Sequence, residues 1–185
     1  MEEEWRMGEL YIITGPPGIG KTTVSRLLAD RKPKSAFIDG DDIYYLVHSG
    51  VTKPWSLDNH LEVFWENIIS LINNFTKKGY DTVFNYICMP EDIMRMQNRL
   101  ENTRIHVCVL IANQEVLINR DQLRQVKHQM GERSVSLLNE FMNQDFESRF
   151  YLDSSDLTPQ ETVDIILSGN KYILNNGGSH GILSR

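Results

Sequence analysis

The sequence predicts an α/β domain: a parallel β-sheet with helices packed on both faces. Three observations predict it. Short, β-rich apolar runs alternate along the chain with stretches of helical periodicity. The first run, Leu10–Thr14, stops at a Gly-Pro-Pro-Gly turn that opens a helical stretch. No internal repeat or linker-like composition shift divides the 185 residues, a length that suits one domain. Such a sheet, closed by right-handed crossovers, gathers its ligand sites at the carboxyl ends of its strands.

The elements follow in order. After the strand Leu10–Thr14, residues 21–29 form a helix with Val24, Leu27 and Leu28 on one face. Ala36-Phe37-Ile38 is a second strand, ending at Asp39-Gly40-Asp41-Asp42, where Asp42 can cap the next helix. From Asp58 to Lys78 the apolar residues Leu61, Phe64, Trp65, Ile68, Ile72 and Phe75 keep a helical period, and Gly79 stops it. Thr82–Ile87 is a third strand, and Pro90 opens the helix after it, because the first helical turn does not need its missing N–H. Ile105–Ile111 is a fourth strand, with Asn113 placed to cap the following helix. Residues 124–133 are polar and read as a mobile segment, before a helix from about Ser136 to Glu147. Phe150-Tyr151-Leu152 is a fifth strand. Thr158-Pro159-Gln160-Glu161 then combines an N-cap, a first-turn proline and a capping-box glutamate, so a last helix runs to about Leu167. The remainder, about residues 170–185, reads as a flexible tail.

Composition narrows the partners. Lys and Arg total 19 against 25 Asp and Glu, a net charge of -6, which argues against a basic face for nucleic acid or an acidic membrane. Met1-Glu2-Glu3-Glu4-Trp5-Arg6 is acidic and lacks the apolar core of a secretory signal. No apolar stretch approaches the roughly 20 residues of a membrane span. Cys88 and Cys108 sit inside apolar runs without metal-ligand spacing, as buried free thiols do in a reducing compartment. The expected location is the cytoplasm.

Gly15-Pro16-Pro17-Gly18-Ile19-Gly20-Lys21-Thr22 matches G-x-x-x-x-G-K-[ST], the P-loop, between a strand and a helix. Its glycines let successive N–H groups turn inward toward phosphate oxygens, and the helix start adds a positive dipole end. Gly15, Pro17, Gly18, Ile19 and Gly20 are the cradle. Lys21 can reach the β- and γ-phosphates, the Thr22 hydroxyl can ligate Mg²⁺, and Thr23 can reach the α-phosphate. The motif means a nucleoside triphosphate, ATP being the expected one.

Other P-loop classes fit poorly. Asn170-Lys171-Tyr172-Ile173 lacks the aspartate of a guanine-reading segment, and Leu167-Ser168-Gly169-Asn170 fails as a transporter signature. Asp39-Gly40-Asp41 instead sets two carboxylates at a strand end near the P-loop. Phosphoryl transfer to a hydroxyl needs a proton acceptor and a Mg²⁺ anchor, and two such acids can divide those tasks.

The P-loop, Ile38-Asp39-Gly40-Asp41-Asp42, Arg120 with Arg124, and Asp153-Ser154-Ser155-Asp156-Leu157-Thr158 together resemble the adenylate-kinase-like family of small P-loop kinases. Within it they resemble the gluconate kinase, shikimate kinase, adenylylsulfate kinase and chloramphenicol phosphotransferase group, over residues 9 to about 168. The resemblance implies a three-layer α/β/α fold with a five-stranded parallel sheet in order 2-3-1-4-5, substrate-cap helices over about 43–78 and a short lid over about 120–135. It also implies roles. Arg120 would pack near the adenine and α-phosphate, Arg124 would clamp the transferring phosphate, and Asp156 would border the adenine. Arg133 is a further lid candidate. Many relatives end the third strand with an acid that holds Mg²⁺ through water, whereas this chain has Asn85. Metal anchoring then falls on Thr22 and Asp39, leaving Asp41 as the base.

The acceptor of such enzymes lies under the helices after the second strand. There Tyr44, Tyr45 and Trp55 can wall a pocket, Trp65 belongs to the core, and His48 and His60 read as surface or capping residues. Arg95 and Arg99 can hold a sugar acid or form a solvated face. The expected function is ATP-dependent phosphorylation of a small hydroxyl compound, gluconate or a related sugar acid preferred. The alternatives are a non-catalytic ATP-binding regulator and an antibiotic or nucleotide-sugar kinase.

Overall fold

Successive residues of the first strand point into different cores. In β1 (Leu10–Thr14), Leu10 and Ile12 belong to one apolar cluster, and Tyr11 and Ile13 to another across the sheet. The computed structural model describes residues 6–51, 59–126 and 129–174. Trp55, Lys127, His128 and residues 175–185 lie outside them.

The other elements are α1 (Lys21–Asp30), β2 (Ser35–Asp39), α2 (Gly40–Tyr44), α3 (Asn59–Thr76), β3 (Asp81–Asn85), α4 (Pro90–Arg99), β4 (Ile105–Ile111), α5 (Gln114–Gln122), α6 (Glu132–Met142), β5 (Tyr151–Asp153) and α7 (Pro159–Leu167). The five strands pair in parallel in the order β2-β3-β1-β4-β5, as the resemblance implies. One face carries Phe64, Ile68 and Ile72 of α3 with Ile93 and Met96 of α4; the other carries Val24 and Leu28 of α1 with Val163 and Ile166 of α7. The result is an α/β/α sandwich. Cys88 and Cys108 are free and buried in it, and burial pushes both thiols up. Among the described residues no helix is long and apolar enough to cross a membrane.

Register sets the site. Asp39 lies opposite Asn85, and Asn85 opposite Ile13, so the ends of β2, β3 and β1 stand side by side just before the Gly15 turn. Thr14 Oγ1 donates to Cys88 O at 3.1 Å and accepts from Cys88 N at 2.8 Å, fastening the chain after β3 to that end.

Several expectations shift. Thr158 and Glu161 form the expected capping box, and Asn113 caps α5 by accepting from Val116 N. The helix expected from Ser136 starts at Glu132, because a buried carboxylate (Asp121, below) already fixes the chain at Met130 and Gly131. The expected mobile segment is accordingly tied at Gln129, Met130 and Gly131. The tail expected from about residue 170 is packed as far as Leu174. β5 covers only Val109–Ile111 of β4, and Tyr172–Leu174 covers the rest of that edge through Val107 N–H to Tyr172 O and Leu174 N–H to Ile105 O.

Candidate active site

The P-loop leaves β1 at Thr14 and enters α1 at Lys21. Gly18 takes φ +82°, and a Cβ there would stand 3.2 Å from that of Asp121, so glycine answers both backbone and packing demands. Lys21 Nζ donates to the loop's own carbonyls, Gly15 O at 2.9 Å and Pro16 O at 3.0 Å. Burial lowers this lysine to about 8, against the opposing pull of Asp41 and Asp39. Residues 17–23 line one open cleft of about 1140 Å³. That exceeds the roughly 300–1,000 Å³ of an ordinary ligand pocket and leaves room for a nucleotide and a second molecule. Gly15 stands behind it, contributing its carbonyl to Lys21.

Asp39, Asp41 and Asn85 line the facing wall. Asp39, not the expected Asp42, is the N-cap of α2: its Oδ1 accepts from Asp41 N at 3.2 Å, since Asp39 keeps the extended backbone of the strand end. The glycine between the acids is forced by packing, because a Cβ on Gly40 would lie 2.4 Å from the Tyr86 ring. Burial, then the charge of Asp39, raises the Asp41 carboxyl above the usual range, which suits a proton acceptor.

Asn85 joins both expected metal ligands. Its Nδ2 donates to Thr22 Oγ1 at 3.1 Å and to Asp39 Oδ2 at 3.0 Å. Asn85 is 4% exposed, and its Oδ1 is a buried acceptor without a hydrogen-bond partner among the described residues. Thr22 Oγ1 and the Asp39 carboxylate are oxygens that fit Mg²⁺ with its waters, and the Asn85 amide nitrogen holds the two together. Among the described residues no group of three or more His, Cys, Asp or Glu could hold a metal by itself, so the remaining ligands would be phosphate oxygens and water.

Both expected lid arginines line the cleft, with different partners. Arg120 donates to Ile19 O at 3.2 Å and to Ser154 Oγ and O at 3.0 and 2.7 Å, clasping the P-loop to the turn after β5. Arg124 lines the cleft and donates to Asp121 Oδ1 at 3.1 Å. Asp156 does not border the cleft: it is exposed on the turn, and Ser154, Leu157 and Pro159 stand there instead. Arg133 is likewise outside the lining. Asp121 is the residue that sequence reading missed. The available signal was its i,i+3 spacing to Arg124.

The cleft is also lined by Tyr45, Tyr86, Ile87, Leu123, Met130 and Asp42. Tyr45 is 67% exposed and Leu123 88%. Trp65 is core, as expected. His60 is not a surface residue: it is buried against the Tyr44 ring, with Nε2 3.1 Å from Tyr44 O, because α3 packs onto α2. His48 is exposed. Arg99 pairs with Glu66 at 2.8 and 2.9 Å and Arg95 lies over the Trp65 ring, and neither lines the cleft.

No family model and no curated protein matches the chain. Solved structures do. A tunicamycin resistance protein of Deinococcus radiodurans is similar with TM-score 0.63 and 18% identity, over 87% of this chain and 94% of its own. A gluconokinase of Sinorhizobium meliloti 1021 gives 0.64 and 15%, over 88% and 91%. A shikimate kinase of Bacteroides thetaiotaomicron gives 0.57 and 19%, over 86% and 97%. At such identities the likeness carries architecture, and the architecture of this chain is the α/β/α fold of small P-loop kinases.

Proposed function

We propose that the chain binds ATP with Mg²⁺ and transfers the γ-phosphate to a hydroxyl of a small molecule. The observation that carries this reading is convergence: the phosphate cradle, Asp39, Asp41 and Arg124 face one cleft large enough for two ligands. The loop's amides and Lys21 hold the polyphosphate, and Arg124 offsets charge spreading over the phosphoryl oxygens. Thr22 and Asp39, held together by the Asn85 amide nitrogen, would supply protein oxygens for Mg²⁺, which when bound neutralises charge on the polyphosphate. Asp41 takes the hydroxyl proton as the acceptor oxygen bonds to phosphorus and the bond to the β-phosphate oxygen breaks, leaving ADP.

Gluconate or another sugar acid is the first acceptor to try, supported by the gluconokinase of like fold. A specific observation favours the second reading, an antibiotic or nucleotide-sugar kinase. Arg95 and Arg99, the cations expected to hold a sugar acid, do not line the cleft, Tyr45, Tyr86, Ile87, Leu123 and Met130 do, and a tunicamycin resistance protein has a similar fold. The test is ADP release across both acceptor classes. Acceptor-dependent release should fall about 10²–10⁴-fold in Asp41→Asn and be lost in Lys21→Ala. Tight ATP binding without turnover on any acceptor would instead support a non-catalytic regulator.

A further inference from the structure

Asp121 lies in the last turn of α5, where the negative end of the helix dipole opposes an acid. It is also 3% exposed, so its charge is held out of water. Three donors compensate. Oδ1 accepts from Arg124 at 3.1 Å, and Oδ2 accepts from Met130 N and Gly131 N at 2.8 Å each. Burial alone would raise the Asp121 carboxyl, yet these bonds outweigh it and hold it below the usual range. The fourth neighbour is the P-loop itself, whose Gly18 packs against the Asp121 Cβ.

We infer that Asp121 is a positioning residue: it sets Arg124 and the turn at Met130–Gly131 against the phosphate loop. One carboxylate unites the end of α5, the arginine facing the cleft, the turn entering α6 and the loop expected to wrap the phosphates. A change in the loop at Gly18 therefore presses on the group that aims Arg124. The part concerning Arg124 and phosphate rests on the nucleotide reading above; the fastening of the turn does not.

Amide hydrogen exchange without nucleotide tests the fastening. In Asp121→Ala, exchange at Met130 and Gly131 should quicken by about tenfold or more while β4 amides keep their protection. Asp121→Asn keeps an acceptor oxygen and should quicken it less, and it serves alone if the alanine variant does not fold. Unchanged exchange at both amides, or an equal rise in β4, overturns the inference. Calorimetry with a non-hydrolysable ATP analogue tests the aim of Arg124. Asp121→Asn and Arg124→Ala should each weaken binding, and the double variant should bind no more weakly than Arg124→Ala. Additive losses overturn the link. Wild-type protein that binds no analogue refutes the nucleotide reading and this link with it, while the exchange result still decides the fastening.

Discussion

Lys21 keeps its ammonium folded onto the carbonyls of Gly15 and Pro16, in surroundings that lower it to about 8. A polyphosphate in the loop replaces those neutral partners with negative charge and must raise that value. Binding then takes up a proton wherever the empty site has begun to lose it, so affinity falls as pH rises through about 8. Calorimetry of ADP near that pH, in buffers of different ionisation enthalpy, should register uptake of about half a proton, rising toward about one proton as the pH is raised further, and Lys21→Met should abolish it. Lys21 and Thr22 were legible in the sequence because one short loop fixes their spacing to the phosphates. Asn85 was legible as an asparagine where an acid was expected, but its bridge between Thr22 and Asp39 was not. That bridge joins three segments which only the sheet register brings together. Asp121 escaped for the same reason: its partners at Gly18 and Gly131 depend on how the chain folds back.

Elements were most legible where their signals are local. The bounds of β1 and β4, the capping box at Thr158 and the cap at Asn113 follow from residues a few positions apart. The start of α6 did not, because a carboxylate on another helix fixes it. The join of β2 to α2 is also set from outside, by the Tyr86 ring against Gly40. A methyl group at Gly40 must move that ring or the backbone carrying Asp39 and Asp41. Gly40→Ala should therefore cost about 1–3 kcal/mol in urea unfolding, the usual range for overpacking, and should weaken metal-nucleotide binding as well. Trimming the ring in Tyr86→Ala should make the second substitution much less costly, seen as strong coupling in a double-mutant cycle. Additive costs would mean that the ring does not dictate the glycine.

At the scale of the whole molecule, the sheet order puts the cleft at the carboxyl ends of β1, β2 and β3, and that placement follows from right-handed crossovers. What crossovers leave unspecified is how an edge is finished. β5 pairs with only the carboxyl-end half of β4, so the amino-end half needs another cover, and Tyr172–Leu174 supplies it in antiparallel fashion. Polar tail residues hide this role in the sequence, since the pairing uses backbone groups and only Tyr172 and Leu174 turn inward. Tyr172, at 1% exposure, closes the cluster beneath α1 and α7. Its hydroxyl has no hydrogen-bond partner among the described residues, so the ring and not the oxygen should carry its contribution. Tyr172→Ala is expected to cost about 3–5 kcal/mol, as loss of a buried aromatic side chain does. Tyr172→Phe should be neutral or stabilising, because an unpaired buried polar group costs about 1–3 kcal/mol. Urea midpoints at constant m-value separate the two variants. A costly Tyr172→Phe would reveal a hydrogen bond at the hydroxyl, and a harmless Tyr172→Ala would mean that this segment does not seal the edge of β4.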